Sequence, residues 1–372
     1  MRSDILIVGG GLAGLTAGIH LAQLGFEVTL LEKQVFPNHK VCGEYISNEV
    51  RPYLDSLGVG IDTFQPSEIS EFLLTTPAGQ PLQTSLPLGG FGLSRFTLDQ
   101  ALADQARKSG VRIIQDQVTS WQLVNDRFEV TTLQDKAYEA PLLIAAYGKR
   151  SALDKQLPKS PWMAIKGHYQ LDFPSNLIAL NTFSGGYCGI SKVEKERVNA
   201  CYLVQTEVFK PYRTPEEFQQ QVMSKNPFLK DFFARAQPLF EKSLTISQIS
   251  FAAKPAVENH VLRCGDTAGL IHPLCGNGMA MAIHSARLAV EAITSYRQHG
   301  NRSQLESQYS KAWHRKFNSR LRAGRLVQHV LQQPRLTAAL ARLAPNVPGL
   351  VSFIIRQTHG ELIPPAYVHQ YS

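Results

Sequence analysis

The sequence predicts an α/β fold in which a parallel sheet is combined with an inserted, mostly antiparallel sheet and a C-terminal helical tail. Residues 1–32 have the pattern strand, helix, strand, with the apolar run Ile5–Val8 directly before a glycine-rich turn. From about residue 160 to 254, segments of alternating polarity predict antiparallel strands. From residue 301 on, helical patterns are interrupted by prolines. A chain of 372 residues usually forms more than one domain, so we expect two domains and a tail.

The first turn has the spacing GxGxxG and lies between an apolar strand and a helical pattern that runs to Leu24. In such turns the first glycine permits the tight turn, the second admits a pyrophosphate and the third lets helix and strand pack closely. The amino end of the helix offers free N–H groups to phosphates, and Glu32, at the end of the second strand, can accept ribose hydrogen bonds. The segment predicts a bound dinucleotide; the alternative is a glycine-rich turn without a ligand. The binding residues it predicts are Gly9, Gly11, Leu12, Ala13, Gly14, Glu32 and Lys33.

Further elements follow from hydrophobic periodicity and turn residues. In the first half we expect helices at Asn48–Leu57 and Thr97–Ser109, short strands within Ile69–Gln83, and strands at Val111–Ile114, Val118–Val124, Arg127–Leu133 and Ala140–Ala145. In the second half we expect strands at 163–172, 177–184, 196–204, 244–253 and Val261–Cys264, and helices at Thr214–Met223, Pro227–Ala236 and Gly276–Tyr296. The tail pattern is helical, with breaks at Pro334, Pro345 and Pro348.

The charge of the chain is concentrated at its C-terminal end. Residues 301–372 hold ten Lys and Arg and two Glu, which is the whole net charge of +8. A basic helical face of this kind is typical either of a solvated surface or of peripheral contact with an anionic membrane. Nucleic acid is not expected as a partner, because the sequence has no basic groove interleaved with aromatic residues.

The remaining composition predicts a cytoplasmic protein in a reducing compartment, with peripheral contact to a membrane as an open alternative. The five cysteines are odd in number and show no CxxC or zinc-type spacing, and there is no HExxH, so no structural metal is expected. No apolar run reaches 18 residues, so a membrane-spanning helix is not expected. A signal peptide is not expected either, because no basic stretch followed by an apolar core precedes the first strand.

Three further segments carry a family resemblance. Gly265–Gly278 has the pattern GDxxGxxxPxxGxG, Arg95–Asp99 is similar to an R-x-x-L/F-D helix start, and Leu142–Ser151 is similar to an A-D-G-x-x-S motif with Tyr147 in place of Asp. Together with the first turn, these segments resemble FAD enzymes related to p-hydroxybenzoate hydroxylase, geranylgeranyl reductase and squalene epoxidase. The resemblance covers about residues 3–300 and implies that Arg95 approaches the FAD pyrophosphate and that Asp266 approaches the ribitol. The FAD-binding residues it adds are Cys42, Gly43, Arg95, Val118, Gly265, Asp266, Pro273, Gly276, Asn277, Gly278 and Met279.

The resemblance also implies a domain division. It predicts a Rossmann-like FAD-binding domain of the glutathione reductase type, and a substrate domain built on the mostly antiparallel sheet. The FAD-binding domain comprises residues 1–68, 92–158 and 255–300, the substrate domain comprises residues 69–91 and 159–254, and the basic helical region comprises residues 301–372.

Three segments contain candidate catalytic residues. Cys42-Gly43 matches a pair that lies beside the flavin ring in geranylgeranyl reductase-like enzymes, and Glu44 and Tyr45 are candidate acid/base groups. Tyr187 lies where relatives place a substrate-facing strand, with Gly189 at the position of a family Trp, which leaves room for a bulky ligand. His272, beside Pro273, is a further acid/base candidate. For each of these residues a purely structural role is the alternative.

The resemblance leaves the reaction open. The favoured prediction is a monooxygenase that hydroxylates or epoxidises an apolar or aromatic small molecule through a C4a-hydroperoxyflavin. The second is a reductase of carbon–carbon double bonds in a prenyl or other lipophilic substrate, for which Cys42-Gly43 argues. NAD(P)H or a separate flavin reductase would supply electrons, since no second GxGxxG turn is found. A halogenase is disfavoured, because the WxWxIP motif is missing and no Lys occurs between Lys40 and Lys108. A lipid-binding module without catalysis is disfavoured by the complete FAD motifs.

Overall fold

The computed structural model describes residues 1–149, 153, 160–270, 277–332 and 360–366. This part of the chain contains three sheets, of six, nine and three strands. The helices are α1 (Leu12–Gln23), α2 (Arg51–Ser56), α3 (Arg95–Lys108), α4 (Thr206–Phe209), α5 (Pro215–Gln221), α6 (Pro227–Arg235), α7 (Gly278–His299) and α8 (Arg302–Gln332). The strands of the first half are β1 (Ile5–Val8), β2 (Val28–Glu32), β3 (Tyr45–Ser47), β4 (Ser67–Thr75), β5 (Pro81–Gly92), β6 (Arg112–Gln115), β7 (Val118–Val124), β8 (Arg127–Thr132), β9 (Ala137–Ala140) and β10 (Leu142–Ala145). Those of the second half are β11 (Trp162–Gln170), β12 (Leu177–Phe183), β13 (Gly186–Lys192), β14 (Arg197–Gln205), β15 (Gln237–Pro238), β16 (Leu244–Ser247), β17 (Val257–Glu258) and β18 (Val261–Arg263).

The six-stranded sheet has the order β17-β18-β10-β1-β2-β6, and all of its pairings except β17 with β18 are parallel. Strand β1 is apolar and buried throughout because both faces of the sheet are covered. Ile5 and Ile7 face the core that contains α1 and α7, whereas Leu6 and Val8 face the three-stranded sheet β7-β8-β9. The carboxyl ends of β1, β10 and β18 therefore lie side by side, and the loops that follow them can share one ligand.

The nine-stranded sheet follows the order β15-β11-β14-β13-β12-β4-β5-β3, and β16 also pairs with β11. It is antiparallel except between β12 and β4. One face packs on α5 and α6 through a cluster that includes Ile165, Tyr202 and Phe218. The opposite face is turned toward the loops of the parallel sheet, so this is the face that can contribute to a shared site.

Several sequence expectations differ from these elements in detail. The predicted short strands within Ile69–Gln83 are two long strands, β4 and β5, with a register irregularity between Ile69 and Glu71. The predicted strand 244–253 ends at Ser247. Strand β13 was expected only from the family resemblance, because its glycines obscure the alternation of polarity. The domain division stays a prediction.

The C-terminal helices pack on the parallel-sheet core. Helix α7 ends at Gly300, whose φ of +67° lies in the left-handed region, and α8 follows. Leu305, Tyr309, Trp313 and Phe317 form the buried stripe of α8. Residues 360–366 return to this core, where the Ile363 N–H donates to the Glu49 carbonyl oxygen at 2.7 Å. The predicted breaks at Pro334, Pro345 and Pro348 lie outside the described residues. None of the described helices is long and apolar enough to cross a membrane.

Candidate FAD site and substrate face

The glycine turn shows why each glycine is needed. Gly9 has a φ of +107°, and a Cβ there would collide with the Ala146 carbonyl oxygen, while a Cβ at Gly14 would collide with the Gly9 carbonyl oxygen. A Cβ at Gly11 would meet nothing nearer than Arg95 Nη2 at 3.8 Å. Gly9 and Gly14 are therefore required by the packing of the turn, whereas Gly11 borders open space at the amino end of α1. That helix end has no side-chain cap, so its N–H groups are available to a phosphate.

The acid that follows β2 lies against this turn. Glu32 is buried, and its carboxylate accepts hydrogen bonds from the Gly10 N–H at 2.6 Å and the Gln34 N–H at 2.9 Å. The next residue, Lys33, is exposed. Each carboxylate oxygen can accept more than one hydrogen bond, so Glu32 retains capacity for a ribose hydroxyl.

The Asp266 loop meets the glycine turn directly. A Cβ built on Gly265, which has a φ of +62°, would lie 3.2 Å from the Ala13 Cβ on the first turn of α1. Burial raises the pKa of Asp266, and the positive charges of Lys149 and Arg95 oppose this rise. The Gly148 N–H donates to Thr267 Oγ1 at 2.9 Å, so the loop after β10 joins the same site. Tyr147, which replaces the family Asp, accepts a hydrogen bond from Arg263 and stacks on Trp121.

The other residues predicted to bind FAD lie in α1, in the core beside the three-stranded sheet, and around the start of α7, or fall outside the described part of the chain. Leu12 is buried in the first turn of α1, and Val118 is buried in the core between the parallel and three-stranded sheets. Asn277 is buried, and Gly278 and Met279 begin α7. His272, Pro273 and Gly276 lie outside the described residues.

Two cations lie beside the open side of Gly11. Arg95 Nε and Nη2 donate to the two carboxylate oxygens of Asp99 at 2.7 and 2.8 Å, and Lys40 Nζ lies 3.0 Å from Asp99 Oδ2. One buried carboxylate thus orients two cations, leaving a net positive charge next to the place where a pyrophosphate can approach the backbone.

A buried ionic cluster holds the segment around Cys42 in place. Glu44 accepts from Lys166 Nζ and from the Arg95 N–H (2.7 Å) through Oε1, and from His168 Nε2 (2.7 Å) through Oε2. Burial alone would raise the pKa of Glu44, but Lys166 and His168 outweigh it and lower the pKa to about 2. Glu44 is therefore an ionised anchor in the resting protein. Tyr45 donates to the Gly89 carbonyl oxygen at 3.3 Å, and burial raises its pKa, so its hydroxyl stays protonated.

Cys42 and Gly43 are clamped against the nine-stranded sheet. Their carbonyl oxygens accept from Asn199 Nδ2, at 3.3 and 2.8 Å. Cys42 is half-buried, Gly43 is exposed, and a Cβ on Gly43 would meet no atom within 4 Å. This pair therefore borders open space between the sheet and the glycine turn.

The sheet face opposite this pair has a polar side and an apolar side. In register across β11, β14 and β13, one row consists of Lys166, Cys201 and Gly189, and the next of His168, Asn199 and Ser191. Burial raises the pKa of Cys201 to about 12, so this side chain is a neutral thiol. A Cβ on Gly189 would meet only the Cys201 carbonyl oxygen, at 3.8 Å, which leaves space above the row.

The apolar side begins one row away, where Ala164, Leu203 and Tyr187 are in register. It continues in a buried cluster that includes Leu74, Leu82, Trp162, Leu180 and Leu270, with Val41 packed against it. Leu270 follows the Asp266 loop and Val41 precedes Cys42, so this face touches both predicted cofactor segments.

Lys166, His168, Asn199 and Cys201 were not predicted as site residues from the sequence. One feature of the sequence could have indicated two of them. Lys166 and His168 occupy alternate positions of a predicted strand, so both side chains point to the same face of the sheet. Their pairing with Glu44 joins segments more than 120 residues apart, which periodicity does not reveal.

Comparison with known proteins identifies the family. The model of the FAD binding domain family matches residues 2–317. This chain belongs to that family. The predicted cofactor, FAD, and the predicted class, an FAD-dependent oxidoreductase, are confirmed at this level.

Curated relatives are distant and differ in function. Conditioned medium factor receptor 1 of Dictyostelium discoideum is 23% identical over 84% of this chain and 68% of its own length. Tryptophan 2-halogenase of Chondromyces crocatus is 24% identical over 79% of this chain, and the match spans 61% of the halogenase. Digeranylgeranylglycerophospholipid reductase 2 of Methanosphaera stadtmanae is 25% identical over 77% of this chain and 76% of the reductase.

Among solved structures, the flavin-dependent brominase Bmp2 superposes with a TM-score of 0.81 at 17% identity. The superposition covers 96% of this chain and 93% of the brominase. The predicted fold class is thereby confirmed.

Proposed function

We propose that the protein is an FAD-dependent monooxygenase that acts on a lipophilic phenol. The observation that carries the proposal is the two-sided sheet face, on which Lys166 lies one row away from Leu203 and Tyr187 of the apolar side. A ligand that fits such a face has an apolar body and one polar group at a fixed position. A phenol with an alkyl or prenyl substituent meets both requirements.

The residues around the glycine turn suit FAD. Gly11 and the amino end of α1 would receive the pyrophosphate, with Arg95 beside them, and Glu32 would bind the adenosine ribose. Asp266 would hydrogen-bond the ribitol, and Cys42-Gly43 would lie along the ring. When bound and reduced, FAD supplies the electrons that activate dioxygen.

Lys166 has a specific role in this proposal. Its ammonium group has three N–H donors, of which one binds the Lys40 carbonyl oxygen and one binds Glu44. The Lys166 side chain is fully buried, so its positive charge would stabilise a bound phenolate through space, without a direct hydrogen bond, and would make the aromatic ring more nucleophilic toward an electrophilic oxygen atom. Glu44 and His168 keep the ammonium group oriented.

The apolar side of the sheet face would orient the substrate and exclude water. Leu74, Leu180, Leu203 and Tyr187 are all more than nine-tenths buried. Gly189 leaves space over the centre of the face, so a substituted ring can approach the strand closely. Exclusion of water by these side chains would suppress unproductive release of hydrogen peroxide.

Halogenation is a second candidate, favoured by one observation. No lysine lies between Lys40 and Lys108, but β11 places Lys166 within hydrogen-bond distance of the Lys40 carbonyl oxygen, from another part of the chain. Relatives include a tryptophan halogenase, and the same activated phenolate could be halogenated when halide is present. The reductase alternative is supported by the digeranylgeranylglycerophospholipid reductase relatives and by the position of Cys42-Gly43 on the open side of the site.

Product analysis separates these reactions. The holoenzyme is reduced chemically, mixed with a long-chain alkylphenol, and exposed to isotopically labelled dioxygen, with and without bromide. We expect a product that contains one labelled oxygen atom, formed also without bromide. A brominated product would establish halogenation, and anaerobic formation of a product with two additional hydrogens from a prenyl substrate would establish reduction; either result would overturn the proposal.

The electron donor is proposed to be NAD(P)H, with a separate flavin reductase as the alternative. The GxGxxG motif occurs once, in the turn assigned to FAD, so a pyridine nucleotide would bind only transiently. Anaerobic mixing with NADH and NADPH, followed at the flavin absorbance, tests this. Bleaching with either nucleotide, accelerated by the phenol, supports direct reduction, whereas bleaching only after addition of a flavin reductase supports the partner.

A further inference from the structure

Helix α8 has an exposed face that neither the fold nor the proposed reaction uses. Its buried stripe, from Leu305 to Phe317, fixes which side faces the core. Lys311, Arg315 and Arg322 are exposed and project from the opposite side, within about 40° of one another around the axis at 100° per residue. They extend along about 16 Å of helix at 1.5 Å per residue.

This face carries positive charge without compensation. Glu306, the one acid on α8, lies on another side of the helix and bonds His260 at 2.9 Å. Within the described part of the chain, no ion pair involves Lys311, Arg315 or Arg322. The neighbouring exposed positions of the face are uncharged, among them Gln304, Gln308 and Ser319.

The face ends at an exposed apolar side chain. Leu326 is 66% exposed and lies one turn beyond Arg322, on the same side of the helix. A basic row that ends in an exposed leucine matches a lipid bilayer with anionic headgroups, because the cations can contact the headgroups while the leucine enters the acyl boundary.

We propose that this face of α8 docks the protein on an anionic membrane surface. An anionic bilayer complements the positive charge of the row and accommodates the apolar side chain at its end. The proposal does not depend on which reaction the flavin site performs, and it assigns a place from which a lipophilic substrate can reach the protein without crossing water.

Co-sedimentation of the full-length holoprotein with vesicles tests the proposal. We expect binding to vesicles of phosphatidylcholine containing phosphatidylglycerol, much weaker binding to phosphatidylcholine alone, and a decrease in binding as salt is raised. Each cation near the surface contributes about fivefold in affinity, so K311Q/R315Q/R322Q should bind about 100-fold more weakly. Leu326→Ser should weaken binding severalfold.

The matched control removes the same charge elsewhere. Lys108, Lys136 and Lys230 are exposed on other elements, so K108Q/K136Q/K230Q changes the net charge equally. This control should retain nearly full binding, and both triple variants should retain the flavin spectrum and thermal stability of the parent protein. The proposal is overturned if the α8 variant binds anionic vesicles like the parent, if both triple variants lose binding equally, or if neutral vesicles bind as well. Salt-dependent retention on nucleic acid but not on vesicles would assign the face to nucleic acid instead and would also overturn it.

Discussion

Replacing Lys166 by Met removes the positive partner of a carboxylate that has no access to water. The Lys166 and Glu44 side chains are both fully buried and directly paired. Burial opposes ionisation of Glu44, yet its pKa is lowered from 4.5 to about 2, chiefly by Lys166 and then by His168. This difference corresponds to about 3 kcal/mol of stability at neutral pH. Loss of one partner of a buried ion pair typically costs 3–5 kcal/mol, roughly in agreement.

The stability change caused by Lys166→Met depends on pH. In the parent protein the lowered pKa stabilises the fold above pH 4.5, and this contribution is lost as the pH falls toward 2. In Lys166→Met the buried Glu44 carboxylate lacks this cation, so folding favours uptake of a proton by Glu44. The variant should therefore gain stability relative to the parent as the pH falls from 8 to 5, by at most about 1.4 kcal/mol per pH unit.

Denaturant unfolding at saturating FAD, at pH 8 and pH 5, measures both effects. The matched control is Lys192→Met on β13 of the same sheet, because the partner of Lys192, Glu196, is 75% exposed and such a pair contributes about 1 kcal/mol or less. The double variant K166M/E44Q should be more stable than K166M alone, because the unpaired charge is gone. A cost for Lys166→Met no larger than that of Lys192→Met, and independent of pH, would refute the ionic pairing.

Four further substitutions test other parts of the protein. Gly11→Ala should weaken FAD binding at least tenfold in titrations of the apoprotein and leave the melting temperature of the apoprotein unchanged. Gly14→Ala should lower the melting temperature, because the added Cβ collides with the backbone. Equal melting temperatures of the two variants would contradict this division of roles. Gly189→Leu should lower kcat/KM for a bulky phenol by tenfold or more with FAD affinity retained, and an unchanged kcat/KM would remove Gly189 from the substrate face. Glu49→Gln leaves the buried Arg320 without its carboxylate and should cost about 3 kcal/mol in urea unfolding, against less than 1 kcal/mol if the pair is unimportant.

Local patterns predicted most of the elements correctly. The GxGxxG turn, the N-terminal start of α3 near Arg95 and the β7-β8 hairpin at Asn125-Asp126 are each specified within a few residues, by glycine conformation, capping and turn residues. The Asp266 motif selected FAD among the dinucleotides, which the family match confirms. The lengths of β4 and β5 were underestimated, because a bulge interrupts the alternation of polarity from which strands are predicted.

The sequence by itself determined the fold class and the cofactor, because the motifs that indicate them consist of residues close together in the chain. Only the tertiary structure decided what Glu44 does. As one residue in a loop it was an acid/base candidate, but pairing with Lys166 and His168 across the sheet makes it a buried ionised anchor. The structure likewise placed Lys166 on the face opposite Cys42-Gly43 and gave that face a polar and an apolar side. The physical reason is that burial and long-range ion pairing set the protonation and direction of a side chain, and both depend on segments that meet only when the sheets have packed.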